Sequence, residues 1–404
     1  MKITFVLQET GTGAVGGIRV VYEYANHLIE KGHEVNIVYP VTPFVPRPKF
    51  SLSGLKDQAR WIKGQARWIL HNLRNGKKVS WFNVKAKLFM IPTNSPRFSW
   101  LSEKFIPDSD VVLATAWETA YLVNKLNKKK GTKHYFIQHY EIWDIWNNEE
   151  LWEKAEEIEP DPNKLCFAMH DVVPENEKLR TKKKMVDDTY KMPLNKIVIS
   201  SWLKELMEKK FGEKAEGPIV NGVNFNTFFL EKTEKTGKRV LMPHRPAKWK
   251  GTEDGLKAFT IVRERHPETE FAMHGVPTKN DLPAWIQTYG RVSDDELRGL
   301  YNSSDIYVIP SWVEGSQLPP MEAMACGCAV AATNVGGITD YAVPEKTVLV
   351  SPPRKPESLA ENLIRLLENK EKLKQIAKAG HEYIEQFTWD KATNRLEEIL
   401  QAKR

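Results

Sequence analysis

The chain has 404 residues, 41% of them hydrophobic and 27% charged, with a formal net charge of +7 from 59 Lys and Arg against 52 Asp and Glu. That length suggests two or three domains, and the composition is that of a soluble globular protein, far from disordered or collagen-like chains. No apolar run approaches the roughly 18 residues of a spanning helix, and the N-terminus lacks the h-region and cleavage site of a signal peptide, so a cytoplasmic protein is expected. Cys166, Cys326 and Cys328 are too few for a disulfide framework and have no nearby His or Cys to complete a zinc site, so no metal is expected. The basic balance admits nucleic acid, an anionic membrane or phosphorylated small molecules, and the total charge does not choose among them.

Short Val- and Ile-rich runs alternate with helix-like segments, the pattern of parallel sheets built from βαβ units. In the first half the expected strands are Lys2–Leu7, Glu34–Tyr39, Val111–Thr115, His134–Gln138 and Lys196–Ser200. In the second half they are Arg239–Pro243, Glu270–Gly275, Asp305–Pro310, Cys328–Thr333 and Thr347–Ser351. Phe225–Lys238 is polar and without apolar period, which reads as a linker. The expected organisation is therefore a first domain over 1–224, a linker over 225–238, a second domain over 239–385 and a C-terminal helix over 386–404 that crosses back to the first domain. Helical patterns close the chain at Ser358–Leu367, Lys370–Phe387 and Lys391–Ala402, punctuated by Gly380 and by Thr388-Trp389-Asp390.

One insertion, about 49–90, breaks the alternation. Between Lys49 and Lys87 there are ten basic residues and one acid, Asp57, and Gln-Ala-Arg-Trp-Ile occurs at 58–62 and again at 65–69. On a helix the seven-residue period stacks Leu55, Ile62 and Ile69 beside Trp61 and Trp68, with Arg60, Arg67 and Arg74 opposite. The segment carries a net +9, leaving −2 for the rest of the chain, so the basicity has a single address. An anionic membrane surface is the partner such a helix would fit; the competing reading packs its Trp face on its own domain.

Residues 11–16 read Gly-Thr-Gly-Ala-Val-Gly after a strand, and Gly16-Gly17 lead into a helix with Val21, Tyr24, Ala25 and Leu28 on one face. Such a loop lets backbone N–H groups approach an anion at a helix N-terminus. A dinucleotide site would also want an acid at the end of the second strand, where this chain has Val38-Tyr39-Pro40.

The densest information lies at 303–337. Glu314 and Glu322 are eight residues apart, and Gly315, Pro319 and Pro320 exclude one helix across the gap. The expected arrangement puts Glu314 on a loop at a strand's C-terminal end and Glu322 in the first turn of a helix over Met321–Cys326. With N–H groups at the helix start, that combination suits a sugar nucleotide, although a Glu in a first helical turn is also common because it complements the dipole. Arg245 and Lys250 lie on another strand-to-helix loop facing the same crevice, where they would neutralise a diphosphate, or simply be solvated.

These residues resemble the family 4 retaining glycosyltransferases of GT-B fold, which are two Rossmann-like α/β domains facing a crevice. The hallmark Glu-x7-Glu matches Glu314 and Glu322, followed by Glu-Ala-Met-Ala-x-Gly at 322–327; Arg-x4-Lys-Gly matches Arg245 to Gly251; Asn221-Gly222-Val223, Gly336-Gly337 and Gly16-Gly17 match further motifs. The resemblance is dense from about residue 196 on and sparse before, and 41–105 match nothing. It implies that Glu322 binds the nucleotide ribose, Glu314 the transferred sugar, and Arg245 and Lys250 the pyrophosphate. Gly315, Ser316, Gln317 and Leu318 would complete the phosphate cradle, Arg291 and Val292 would meet the base, Gly16 and Gly17 would line the donor from the first domain, and His139 would contact the donor sugar. Ser316-Gln317 depart from the family's Phe-Gly, and Cys328 from its proline.

The resemblance implies hexose transfer from a nucleoside diphosphate sugar to a glycan, lipid-linked or surface-polymer acceptor, with retention, no cofactor and no metal. A same-fold nucleotide-sugar epimerase is the principal alternative. A nicotinamide-dependent oxidoreductase is disfavoured by the missing acid, and a nucleic-acid or membrane-binding module by the intact Glu/Glu and Arg/Lys sets; no nucleic-acid partner is expected.

Overall fold

The computed structural model describes residues 1–9, 16–42, 79–233, 235–275 and 282–403, with isolated positions between 62 and 70. The loop 11–15 and nearly all of the repeat-containing segment 43–78 lie outside the described residues, so the expectations placed on them stand as sequence readings. Of that segment, Ile62, Ile69 and Leu70 are described, and all three are exposed.

The first parallel sheet is built from β1 Lys2–Val6, β2 Glu34–Thr42, β3 Lys87–Thr93, β4 Val111–Ala114, β5 Thr132–Ile137, β6 Asn195–Val198 and β7 Ala215–Glu216, in the order β3-β2-β1-β4-β5-β6-β7. The second is built from β8 Arg239–His244, β9 Glu270–Gly275, β10 Ile286–Tyr289, β11 Ile306–Ile309, β12 Ala329–Thr333 and β13 Leu349–Ser351, in the order β10-β9-β8-β11-β12-β13. Helices cover both faces of each sheet, which is why central strands such as Val111–Ala114 are buried at every position and read as continuous rather than alternating apolar runs. Strand order reverses between β1 and β4 in one sheet and between β8 and β11 in the other. Those two switch points are where open α/β sheets place ligands.

The longer helices are α1 Gly16–Glu30, α2 Trp117–Lys125, α3 Glu149–Ile158, α4 Leu165–Asp171, α5 Glu177–Tyr190, α6 Thr252–Arg265, α7 Asp294–Asn302, α8 Leu318–Ala325, α9 Pro356–Glu368, α10 Lys370–Ile384 and α11 Trp389–Ala402. Several elements differ from the sequence expectation, among them the short strand β7. Lys87–Thr93, which overlaps the end of the stretch assigned to the basic insertion, is a strand that pairs in register with β2 (Ile37 with Leu88). Ile286–Tyr289, half-exposed at the sheet edge, has no buried alternation to announce it. Gly380 does not interrupt α10; a Cβ there would meet Thr347 O at 3.1 Å and Met324 Cε at 3.3 Å, so the glycine serves close packing rather than termination.

The chain passes between the two units twice, side by side. Val223 N donates to Phe387 O at 2.9 Å and Val223 pairs with Thr388 in a short parallel bridge. Among its described residues Phe225–Lys238 carries no regular element yet lies on the second unit: Phe228 is fully buried against Tyr301, and Lys235 Nζ donates to Gly327 O at 2.6 Å. After the second crossing α11 packs along α1, with Trp389 edge-on to Tyr24 at 5.2 Å and Leu396, Ile399 and Leu400 in the first unit's core. Indoles bind the units across the crevice: Trp143 stacks on Trp249 at 5.5 Å, and Trp152 meets Trp312 at 5.4 Å. Among the described residues no helix is long and apolar enough to cross a membrane.

Candidate active site

β8 and β11 flank the second switch point, so the loops that leave them, Arg245–Gly251 and Pro310–Gln317, open on one crevice. Lys248–Lys250 form a single tight turn ended by Gly251 at φ 66°, and a Cβ on Gly251 would overlap Pro310 O. Only glycine lets the turn sit that close to the end of β11. The result is a direct contact between the loops: Lys250 Nζ donates to both Glu314 carboxylate oxygens, at 2.7 and 2.9 Å. Ser311 Oγ adds a hydrogen bond to Glu314 Oε1 at 2.8 Å. Burial pulls the Lys250 ammonium below the usual lysine range, Glu314 opposes that, and Arg245 reinforces it. Thr252 fixes the Arg245 backbone, its Oγ1 donating to Arg245 O at 2.9 Å.

The next residues are gripped from both units. A Cβ on Gly315 would overlap Gln138 O of the first unit, and Trp202 Nε1 donates to Gly315 O at 3.1 Å. Behind it, Gly336 at φ 62° has no room for a side chain beside Glu314 O. Ser316 Oγ and Gln317 Nε2 are buried without hydrogen-bond partners, while Gln317 Oε1 accepts from Tyr341 OH at 3.2 Å. α8 starts at Leu318, three residues before the expected Met321, because both Pro319 and Pro320 fit a first turn whose N–H groups have no helical partner. Glu322 consequently sits in the second turn, not the first. It is buried, Tyr301 OH lies 3.5 Å from its Oε2, and burial raises its carboxyl to about 7 against the pull of Arg19.

Arg19, one turn into α1, was not singled out by the sequence. Its guanidinium reaches across to the second unit and donates to both oxygens of Asp294 at 2.9 and 3.0 Å. Burial lowers the Arg19 pKa, but Glu322, Asp294 and Glu23 outweigh it and hold the group above its usual range. Gly16 and Gly17 open the same helix and are exposed; the Gln138 amide lies 3.6 Å from where a Gly17 Cβ would be.

His139 follows β5, adjacent to the gripped Gly315. Its Nδ1 pairs with Tyr140 O at 2.9 Å, which assigns the Nδ1–H tautomer, and its Nε2 is buried without a partner. Trp143 and Trp249 lie 4.6 and 5.6 Å from the ring, and burial lowers its pKa to about 4, so it is a neutral imidazole with an open acceptor. Two residues on, Glu141 Oε2 accepts from Trp117 N at 2.6 Å and Tyr135 OH at 3.0 Å. Burial pushes Glu141 well above the carboxylate range and Glu118 to about 7, each raised further by a neighbouring acid. Neither was singled out; position at a strand's C-terminal end, the criterion applied to Glu314, was the available signal. Arg291 is exposed and Val292 rests on the second unit's core at the end of β10, which β9 separates from β8. The fold brings Lys250, Glu314, His139 and Gly315 to one place, with Arg291 and Val292 just past the sheet's edge strand. Among the described residues no three His, Cys, Asp or Glu side chains converge as a metal site.

Residues 225–383 match the family described as Glycosyl transferases group 1. The chain is 34% identical over 158 residues to the sulfoquinovosyl transferase of Arabidopsis thaliana, covering 36% of this chain. It is 30% identical over 123 residues, 30% of this chain, to an uncharacterized glycosyltransferase of Methanocaldococcus jannaschii. It spans about a third of the length of these relatives, 30% of the first and 35% of the second. Over its whole length it is similar in structure to the Anabaena protein HepE in complex with UDP-glucose, with a TM-score of 0.66, 14% identity and all of both chains covered. Two parallel-sheet units meeting at facing switch points are the GT-B fold.

Proposed function

We propose that the chain is a retaining hexosyltransferase, moving a hexose from a nucleoside diphosphate sugar to a glycan, lipid-linked or surface-polymer acceptor. The observation that carries this reading is the Lys250–Glu314 contact at the second switch point, two charged groups from separate loops meeting where a sugar diphosphate would lie. Lys250 and Arg245 neutralise the departing diphosphate, Glu322 takes the ribose hydroxyls, and Glu314, freed of Lys250 when the donor enters, holds the sugar. Gly315 to Leu318 cradle phosphate, Gly16 and Gly17 approach it from the first unit, and the backbone at Arg291 and Val292 meets the base. His139 Nε2 accepts from a hydroxyl of the transferred sugar. The acceptor hydroxyl attacks the anomeric carbon on the face from which the diphosphate leaves; the C–O bond to phosphate breaks, its electron pair goes to the diphosphate, and a phosphate oxygen takes the acceptor proton. No metal is required, because the two cations supply the electrophilic charge.

The basic segment 49–87 holds the enzyme on the cytoplasmic face of an anionic membrane, near a lipid-linked acceptor. The exposed Ile62, Ile69 and Leu70 support that reading. Its test is co-sedimentation with phosphatidylglycerol vesicles, which should weaken when Lys63, Arg67 and Arg74 are replaced; unchanged binding rejects it.

The deciding experiment incubates the protein with a panel of nucleoside diphosphate sugars, with and without acceptor glycans, in chelator. Diphosphate release that needs acceptor, with the anomeric configuration kept, is the expected result. Donor conversion to an isomeric sugar nucleotide without acceptor would identify an epimerase instead.

A further inference from the structure

On the hinge side of the molecule, away from Lys250 and Glu314, lies a cavity of about 590 Å³. Its walls come from α1, from 81–85, from α7 and from both segments that cross between the units, 223–227 and 388–390. None of the residues assigned to the donor lines it. That size lies within the range of pockets that take small organic ligands.

The wall chemistry is selective. α1 turns Arg19, Glu23 and His27 toward the cavity at four-residue spacing, the face opposite its apolar one. Most polar groups there are already paired: Arg19 with Asp294, Lys85 with Glu30 at 2.5 Å, and His27 Nδ1 with Asp390 at 3.1 Å. A phosphate or a polyamine would have to break these pairs. Asn224 is engaged by Glu23 and by Asn226 N, and Trp389 is buried against Tyr24, which leaves the side-chain amide of Asn226, the ring of Trp81 and one oxygen of Glu23 on the wall. Glu23 is 3% exposed and its Oε1 has no hydrogen-bond partner, with Arg19 Nε no nearer than 3.8 Å. A buried acceptor in that state gains from a hydroxyl donor. A flat indole beside an amide and one unsatisfied carboxylate oxygen suits a pyranose, whose C–H face lies on an aromatic ring while its hydroxyls reach planar polar groups.

We propose that this hinge-side cavity binds a neutral saccharide of one or two pyranose units, with Trp81 as the platform and Glu23 as hydroxyl acceptor. The Arg19–Asp294 pair that spans the units also lines it, so a bound saccharide stabilises the arrangement in which that pair is made, by mass action. The assignment rests on the cavity alone and not on the transfer reaction.

The test is titration of the full chain with maltose, α-1,2-mannobiose and N,N′-diacetylchitobiose, followed by tryptophan fluorescence and calorimetry, with spermidine and inorganic phosphate run in parallel. Saturable binding of at least one disaccharide is expected, weakened tenfold or more in Trp81→Ala and in Glu23→Gln. Trp81→Ala should leave the thermal shift produced by a nucleoside diphosphate unchanged; should that variant fail to fold, Glu23→Gln carries the test. Lack of saturation by all three disaccharides, affinity unaltered in both variants, or binding of spermidine or phosphate in their place would overturn the proposal. Failure of the transferase reading shows separately, as loss of the nucleotide shift in the unmodified protein.

Discussion

The two walls of the crevice carry polarity in opposite ways. On the second unit, an ammonium and a carboxylate face each other on short loops gripped by Gly251, Gly315 and Gly336. On the first, His139, Glu118 and Glu141 are all pushed by burial toward their neutral forms. The difference follows from the partners. Glu314 opposes the burial that pulls Lys250 down, whereas Glu118 and Glu141 each lie near another acid that adds to desolvation, and their hydrogen bonds and Lys182 pull back only in part. A wall that keeps formal charge is suited to a ligand that arrives and leaves as an anion; a neutral wall is suited to hydroxyls.

The sharpest way to break this contrast is to remove the charge from the charged wall. Lys250→Ala should lower transfer ~10²-fold or more, the scale of deleting a preorganised electrostatic group, and steady-state rates close to wild type would reject the assignment. Next in size is the grip itself. Gly315→Ala drives a methyl into Gln138 O and should destabilise the protein by about 2–4 kcal/mol, read from the urea midpoint.

Glu322 tests the contrast from within the charged wall, since burial lifts it to about 7. If ribose hydroxyls need the ionised carboxylate, nucleoside diphosphate affinity falls as pH drops below about 7, by up to ~10-fold per unit, and levels off above it. Glu322→Gln should flatten that dependence. Because Arg19 opposes the rise, Arg19→Ala should move the midpoint to higher pH; a midpoint that stays put or falls would contradict the cross-unit coupling. The smallest effect belongs to the neutral wall. With His139 lowered to about 4, the pH–rate profile should contain no inflection between pH 6 and 7 that disappears in His139→Ala.

The charged wall was also the legible one. Arg245, Lys250 and Glu314 stand on two loops leaving neighbouring strands, with Glu322 on the helix that follows one of them, so local spacing and strand ends suffice to place them together. Even there, two consecutive prolines concealed the start of α8 and shifted Glu322 by a turn. The first unit's contribution depends on more distant parts of the chain: Arg19 meets Asp294 across 275 residues, and Glu141 is set by Trp117 and Tyr135. No short motif records such pairings. Edge strands β3 and β10 escaped for a related reason, since half-exposed strands show neither continuous burial nor clean alternation.

The crossing of α11 onto α1 bears on how the molecule is made. Leu396, Ile399 and Leu400 complete the first unit's core, yet the ribosome synthesises them after the entire second unit. Vectorial folding, in which the leading domain finishes before the next emerges, is therefore closed to this chain. The first unit waits with the α11-facing side of α1 uncovered, a span in which chaperone capture or misassociation would compete, and a stop codon before Trp389 would strand it there.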